Sequence, residues 1–247
     1  MKVSSLHSCP SKIWSRDGVP AVAQFCSLLL SGLAGWAGHS SIEHSAKSLS
    51  RLLAEYQCVT RVCDWLVVLA ELSPPGIRRT MRTSPVVFTG IARILTTVCL
   101  GLFLASEEVQ LLAAGGVLNK FLRPYAARLV PIFFFYYNLF KAVTSAALLQ
   151  AMQRISFEAT DTRSVSRKRQ YKEVFLSFLE GVGFMVYAMT LLPSNAPRLR
   201  EALHEGSWMD RMYSVLSSLC PQALQVSPAT QGFIGLLATV PFLFLSW

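Results

Sequence analysis

The sequence predicts an all-α fold: a membrane-associated helical bundle with long amphipathic helices and one or two transmembrane helices. Three observations carry this prediction. Hydrophobic residues fill 52% of the 247 positions and charged residues only 15%, against roughly 25% charged in an ordinary soluble domain. The mean hydropathy is +0.42, high for a surface that must meet water. Apolar residues also recur at spacings of three and four over long stretches, the period of a helix rather than a strand. Disorder is excluded, because it needs low hydrophobicity and high charge.

Charge narrows the partners. Lys and Arg number 23 against 14 Asp and Glu, a formal balance of +9. A basic chain suits an anionic phospholipid bilayer or nucleic acid. Long charge-free runs favour the bilayer, and no nucleic-acid partner is expected.

Residues 1–83 read as an N-terminal region with an amphipathic membrane-binding helix. Lys2, Lys12 and Arg16 precede a run without Asp, Glu, Lys or Arg from Gly18 to Ile42. The run admits a secretory signal or anchor. Asp17 directly before it, Pro20 and several glycines favour a buried or membrane-facing helix.

A single helix of about 30 residues, about 45 Å long, is then expected from an N-cap at Ser41. Its apolar stripe holds Ile42, Ala46, Leu49, Leu53, Tyr56, Val59, Cys63, Leu66 and Ala70. Glu43, Lys47, Arg51 and Glu55 form a second stripe at spacing four. Ser73-Pro74-Pro75-Gly76 stops the helix. Ordinary helix packing and insertion into a bilayer surface both fit this stripe. Its period does not separate them.

Residues 84–155 read as central apolar helices with a possible membrane span. The cluster Arg78, Arg79 and Arg82 precedes a run from Ser84 to Ser106 in which Arg93 is the only charge. That run is long enough to cross a bilayer, but a mid-span arginine is costly unless paired or snorkelling. Glu107 and Glu108 are expected to end it in water, before a short helix weakened by Gly115 and Gly116. Lys120, Arg123 and Arg128 then introduce the aromatic run LVPIFFFYYNLFKAVTSAALLQAM, interrupted by Lys141.

Residues 156–172 read as a basic polar linker carrying Arg163, Arg167, Lys168, Arg169 and Lys172, either a solvated loop or an anionic-lipid contact. Residues 173–225 form a C-terminal helical region. Glu180 lies inside its apolar run and Gly181-Val182-Gly183 suits close helix packing. Residues 226–247 give the strongest spanning candidate, a C-terminal membrane helix. Gly232, Gly235 and Ala238 make a small-residue strip for membrane-helix packing, Trp247 suits an interface, and Pro241 is a kink that neighbours must offset.

Chemistry is sparse. His7, His39, His44 and His204 include no helical pair at spacing four, and no nucleotide-binding loop or nucleophile elbow occurs. Cys9, Cys26, Cys58, Cys63, Cys99 and Cys220 match no zinc or redox spacing, and buried free thiols are expected. No catalytic residue, metal or cofactor is assigned, so the chain reads as a non-enzyme.

Four segments in order resemble one family. SRDGVPAVAQFCSLLL from Ser15 is similar to its opening signature of Arg-Asp followed by a Gln-aromatic-Cys-Leu-Leu helix. LSRLLAEYQCVTRVCDWL from Leu49 falls at its amphipathic helix, and FFFYYNLFKAV resembles its tyrosine-rich central helix. MYSVLSSLCPQALQVSPATQGFIGLLATV looks like its closing helix, polar joint and Gly-rich membrane segment. This is the peroxin eleven family of peroxisomal and glycosomal membrane proteins, and the resemblance spans most of the chain.

The resemblance implies an integral protein of the peroxisomal or glycosomal membrane that promotes elongation, proliferation and fission. An amphipathic helix would insert into the cytosolic leaflet, homo-oligomers or family paralogues would amplify the curvature, and organelle fission machinery would divide the tubule. On that reading Leu49, Leu53, Tyr56, Val59, Cys63 and Leu66 are the inserted face, and Lys47, Arg51 and Arg61 meet headgroups. The rival function is a small channel or metabolite pore lined by Arg93 and Lys141.

Overall fold

The computed structural model describes residues 18–84, 86–156, 164–192 and 208–246. Among them every regular element is helical and no strand occurs. The helices are α1 (Gly18–Trp36), α2 (Ser40–Thr60), α3 (Asp64–Glu71), α4 (Pro74–Thr83), α5 (Val87–Ala114), α6 (Leu122–Ser156), α7 (Ser164–Met189), α8 (Trp208–Ser218) and α9 (Pro228–Ser246).

Among the described residues three helices are long and apolar enough to cross a membrane: α1, α5, and α6 over Leu122–Gln153. At 1.5 Å per residue even the shortest, of 19 residues, comes close to the roughly 30 Å of a hydrocarbon core. The fold fits a membrane protein. The segment read as the C-terminal membrane helix forms α9, with Pro241 inside it. Trp247 lies outside the described residues.

Helix α6 is central, packed along α5 on one side and α7 on the other, while α9 joins α1 to α7. Phe103, Leu104, Phe133 and Tyr137 fill the α5–α6 seam, with Val68 of α3 inserted into it. Phe25, Phe184, Tyr187 and Ala238 fill the α1–α7–α9 junction. A third group, Ile132, Phe135, Ala188 and Leu192, draws in Tyr213 and Leu216 of α8.

Polar residues share the interior with this apolar core, and large apolar residues share the surface. Ser27, Ser31, Gln57, Asn138, Thr144, Glu180 and Thr239 are buried, while Leu30, Leu33, Trp36, Phe88, Leu102, Phe233, Leu237 and Phe244 stand exposed. Several buried groups are satisfied within their own helix. Ser27 Oγ donates to Ala23 O at 2.8 Å and Asn138 Nδ2 to Phe134 O at 2.8 Å. Lipid does not repel apolar side chains, so large ones can face outward as well as fill the seams, and small or polar residues can line helix contacts.

Three expectations are corrected. The long helix from Ser41 is two helices, broken where Cys63 takes the left-handed conformation at φ 66°. Glu107 and Glu108 do not end their helix in water, because α5 runs through them to Ala114. It stops instead at the glycine pair, where Gly116 at φ 76° adopts a backbone that a Cβ would strain and Val117 N–H closes on Leu112 O at 2.9 Å. The basic linker is helical from Ser164, so Lys168, Arg169 and Lys172 ride the first turns of α7. There Arg169 Nε meets Glu173 Oε1 at 3.1 Å, one turn on. Arg163 lies outside the described residues.

Candidate functional site

Helix α2 has three faces, which follow from its sequence at about 100° per residue. The inward face is small and polar: Ala46, Ser50 and Gln57 are buried. The outward apolar face holds Ile42, Leu49, Leu52, Tyr56 and Val59, all exposed, with Leu52 the most so at 62%. The third face is charged, with Lys47, Arg51 and Glu55 exposed and Arg51 Nε on Glu55 Oε1 at 3.1 Å. A helix docked in a water-soluble core turns its leucines inward. This one turns them out.

The structure treats the residues assigned to the inserted face unequally. Leu49, Tyr56 and Val59 share the outward face of α2, and Leu66 is exposed on α3 beside Val67 and Leu69. Leu53 is half-buried, rotated toward the inward face. Cys63 is exposed but sits in the break between the helices. Leu52 was absent from the sequence reading, because a single stripe at spacings of three and four passes through Leu49 and Leu53 and skips it.

Arg61 does not face headgroups. Its Nη1 lies 3.3 Å from Glu107 Oε2, its Nη2 donates to Gln57 Oε1 at 3.1 Å, and its side chain is only 11% exposed. Glu108 holds the next turn, accepting from Cys63 N–H and from Trp65 Nε1–H, both at 2.9 Å. Two adjacent carboxylates on α5 thus clamp the α2–α3 break.

Lys47 and Arg51 remain exposed on α2, and α4 supplies three further exposed cations. Pro74 and Pro75 stop one helix and open another, since proline fits a first helical turn. The resulting α4 carries Arg78, Arg79 and Arg82, all exposed. Their signal was already present as a basic cluster, but not the helix that arranges it.

The small residues assigned to membrane-helix packing all lie at helix contacts. A Cβ on Gly232 would run into the Leu29 backbone of α1, one on Gly235 into the Phe25 ring, and one on Gly183 of α7 within 2.8 Å of Ala238 Cα. Gly181 similarly faces the Ala142 backbone of α6, at 3.1 Å from such a Cβ. Replacing Gly232 by isoleucine is therefore expected to lower stability by about 3 kcal/mol, at the upper end of the range for overpacking. Gly115→Ala, whose Cβ meets nothing closer than 3.6 Å, should leave the melting temperature nearly unchanged. Thermal melts in detergent check both; equal melting temperatures would remove the seam from the account.

The mid-run cations differ in fate. Lys141 Nζ donates to Glu180 Oε1 at 2.6 Å across the α6–α7 contact, where the carboxylate is 4% exposed, and it sits 5.9 Å from the Tyr137 ring centre. Arg93 is half-buried on α5, its Nη1 without a hydrogen-bond partner.

The thiols are free among the described residues, but only Cys99 is buried; Cys26 and Cys63 are exposed. Burial and the nearby Glu107 carboxylate push the Cys58 thiol up to about 12. Only the thiolate attacks electrophiles, and a raised value keeps Cys58 protonated below that pH. N-ethylmaleimide at pH 8 should therefore modify Cys63 and spare Cys58, and raising the pH to 9 should not change this. Peptide mapping that finds Cys58 modified as fast as Cys63 would place Cys58 in a different environment.

Among the described residues no group of three or more His, Cys, Asp and Glu side chains could hold a metal ion. No family model, curated protein or solved structure matches the chain.

Proposed function

We propose that the protein remodels the membrane of a peroxisome-type organelle, promoting its elongation, proliferation and fission. The observation that carries this reading is the outward apolar face of α2, continued by Leu66, Val67 and Leu69 on α3. Lys47 and Arg51 on α2 and the arginines of α4 are exposed. Insertion of that face into one leaflet widens the leaflet and favours curvature, while the cations meet anionic headgroups. The sequence resemblance to the peroxin eleven family adds the organelle and the homo-oligomers that would amplify the effect.

The test is microscopy of the tagged protein at raised expression beside a peroxisomal or glycosomal matrix marker. Coincidence with the marker, together with elongated or more numerous organelles, supports the reading. Residence in secretory membranes with unchanged peroxisomes removes the organelle. Residence on the organelle without any change of shape removes the remodelling.

A further inference from the structure

Helices α5, α6 and α7 stand antiparallel in turn. Residues 115–121 connect the first two, and so short a connection joins antiparallel neighbours. Phe103 of α5 and Phe134 of α6 meet there with ring centres 5.1 Å apart. Between α6 and α7 the partner numbers fall as the others rise. Lys141 meets Glu180 at 2.6 Å, Ser145 meets Ser177 at 3.5 Å, and Gln153 meets Tyr171 at 3.5 Å.

Those contacts fix which segments share an end. At 1.5 Å per residue Val87 lies about 24 Å from the Phe103–Phe134 contact, and Gln150 lies the same distance along α6 in the same direction. The start of α7 comes to this end with Gln153. Helix α4 is there too, because a Cβ on Gly90 of α5 would sit 2.7 Å from Met81 Sδ. Residues 115–121 and the first turns of α6 occupy the opposite end.

The end shared by α4 and α7 is strongly basic. Arg78, Arg79 and Arg82 of α4 and Lys168, Arg169 and Lys172 of α7 are exposed. The carboxylates nearby are Glu71, which closes α3, and Glu173, which Arg169 Nε meets at 3.1 Å. Among the described residues no salt bridge takes Arg78, Arg79, Arg82, Lys168 or Lys172. The sequence from Arg154 to Arg167 sets Arg154, Arg163 and Arg167 against Glu158 and Asp161, so it does not reverse the sign. The opposite end carries Lys120, Arg123 and Arg128, the last of them 5.6 Å from the Tyr213 ring centre.

Toward the middle of the bundle the surface turns apolar. Val87, Phe88, Ile91 and Leu95 are exposed on α5. On α7 Tyr171, Phe175 and Leu179 recur at spacing four, all exposed, the first two with parallel rings. Nucleic acid would meet the cations and leave these side chains in water. A bilayer meets both, with acyl chains on the apolar band and lysine and arginine reaching up to phosphate.

We infer that this end of the bundle contacts the anionic leaflet, with lipid phosphates on Arg78, Arg79, Arg82, Lys168 and Lys172 and acyl chains on the apolar faces of α5 and α7. Residues 115–121 then face the other side of the membrane that α5 and α6 cross. This contact rests on the headgroup role of α4 in the remodelling proposal, but needs neither curvature nor the outward face of α2.

Two measurements on the full chain test it. In phosphatidylcholine vesicles with trace spin-labelled lipid, the motionally restricted part of the spectrum compares phosphatidylglycerol with phosphatidylcholine. The native protein is expected to prefer phosphatidylglycerol about twofold over its whole lipid shell, because a cation near the surface is worth about fivefold at its own position. Changing the phosphate-contacting cations together to glutamine should remove the preference, and Lys120→Gln, Arg123→Gln should retain it. Leu52→Glu, Tyr56→Glu should also retain it, so a loss of tubulation and a loss of this contact read separately.

Thr83→Cys and Val117→Cys, at exposed positions, mark the two ends in a background with the native cysteines changed to serine. After insertion into vesicles with phosphatidylglycerol confined to the outer leaflet, an impermeant maleimide should label Thr83→Cys and spare Val117→Cys. Each variant is accepted only with native helical circular dichroism. No preference in the native protein, its persistence without the cations, or its loss on Lys120→Gln, Arg123→Gln would overturn the inference. Labelling of Val117→Cys as strong as that of Thr83→Cys would do the same. Release of the labelled lipid by single-stranded RNA would also overturn it, giving the surface to nucleic acid.

Discussion

Replacing Leu52 and Tyr56 together by glutamate is expected to abolish vesicle tubulation by the purified protein while leaving it in the membrane. Both side chains are more than half exposed on the outward face of α2, at 62% and 55%. Full burial of such a side chain is worth about 1.5–3 kcal/mol, so the portion still available to lipid is on the order of 1 kcal/mol each. A carboxylate carried into the hydrocarbon adds a cost of up to about 3 kcal/mol. The double change thus shifts the balance by on the order of 4 kcal/mol or more, a factor of several hundred in the inserted population.

The spanning candidates α1, α5 and α6 are untouched, which is why membrane residence should survive and curvature should not. Leu53 is the control. It is half-buried against the bundle, so Leu53→Glu should lower the melting temperature, unlike the outward pair. Undiminished tubulation by a folded Leu52→Glu, Tyr56→Glu variant would eliminate α2 as the inserted element.

Glu180→Ala is expected to be the most destabilising single change, by about 3–5 kcal/mol, because it strands the Lys141 ammonium without its carboxylate. The double change Lys141→Met, Glu180→Leu removes both charges and retains volume, so it should fold about as well as the native chain. The pair is closed at 2.6 Å between α6 and α7, with side chains 17% and 4% exposed. This comparison also separates remodelling from conduction. A channel that uses Lys141 as a lining charge loses conductance in the double variant, whereas a protein that bends membranes keeps its tubulation. Melting temperatures, vesicle tubulation and single-channel recording on the same three proteins decide between them.

Part of this was legible in the chain. The period of three and four gave helices because backbone hydrogen bonding and side-chain burial repeat together, and the proline pair marked a real boundary. The strip Gly232, Gly235 and Ala238 was readable because only small residues let two backbones approach closely. Its partners, Leu29, Phe25 and Gly183, lie far away in sequence and left no local sign.

The orientation of α2 was not legible. A helix with apolar and charged stripes can bury either the apolar or the small-polar side, and periodicity is blind to that choice. Nor could the sequence show that Arg61 turns inward, since Glu107 is 46 positions away. A carboxylate pair ending an apolar run looks like a wet helix end until the α2–α3 break is seen resting on it.

By itself, then, the sequence determined the helical class, the apolar lengths that fit a bilayer and the absence of any local catalytic motif, because these depend on composition and near-neighbour spacing. The tertiary structure alone decided which faces point outward, which cations are spent on internal pairs and which gather at one end of the bundle. Those properties arise from contacts between distant residues, where burial and charge pairing are settled by the partner and not by the chain's own period.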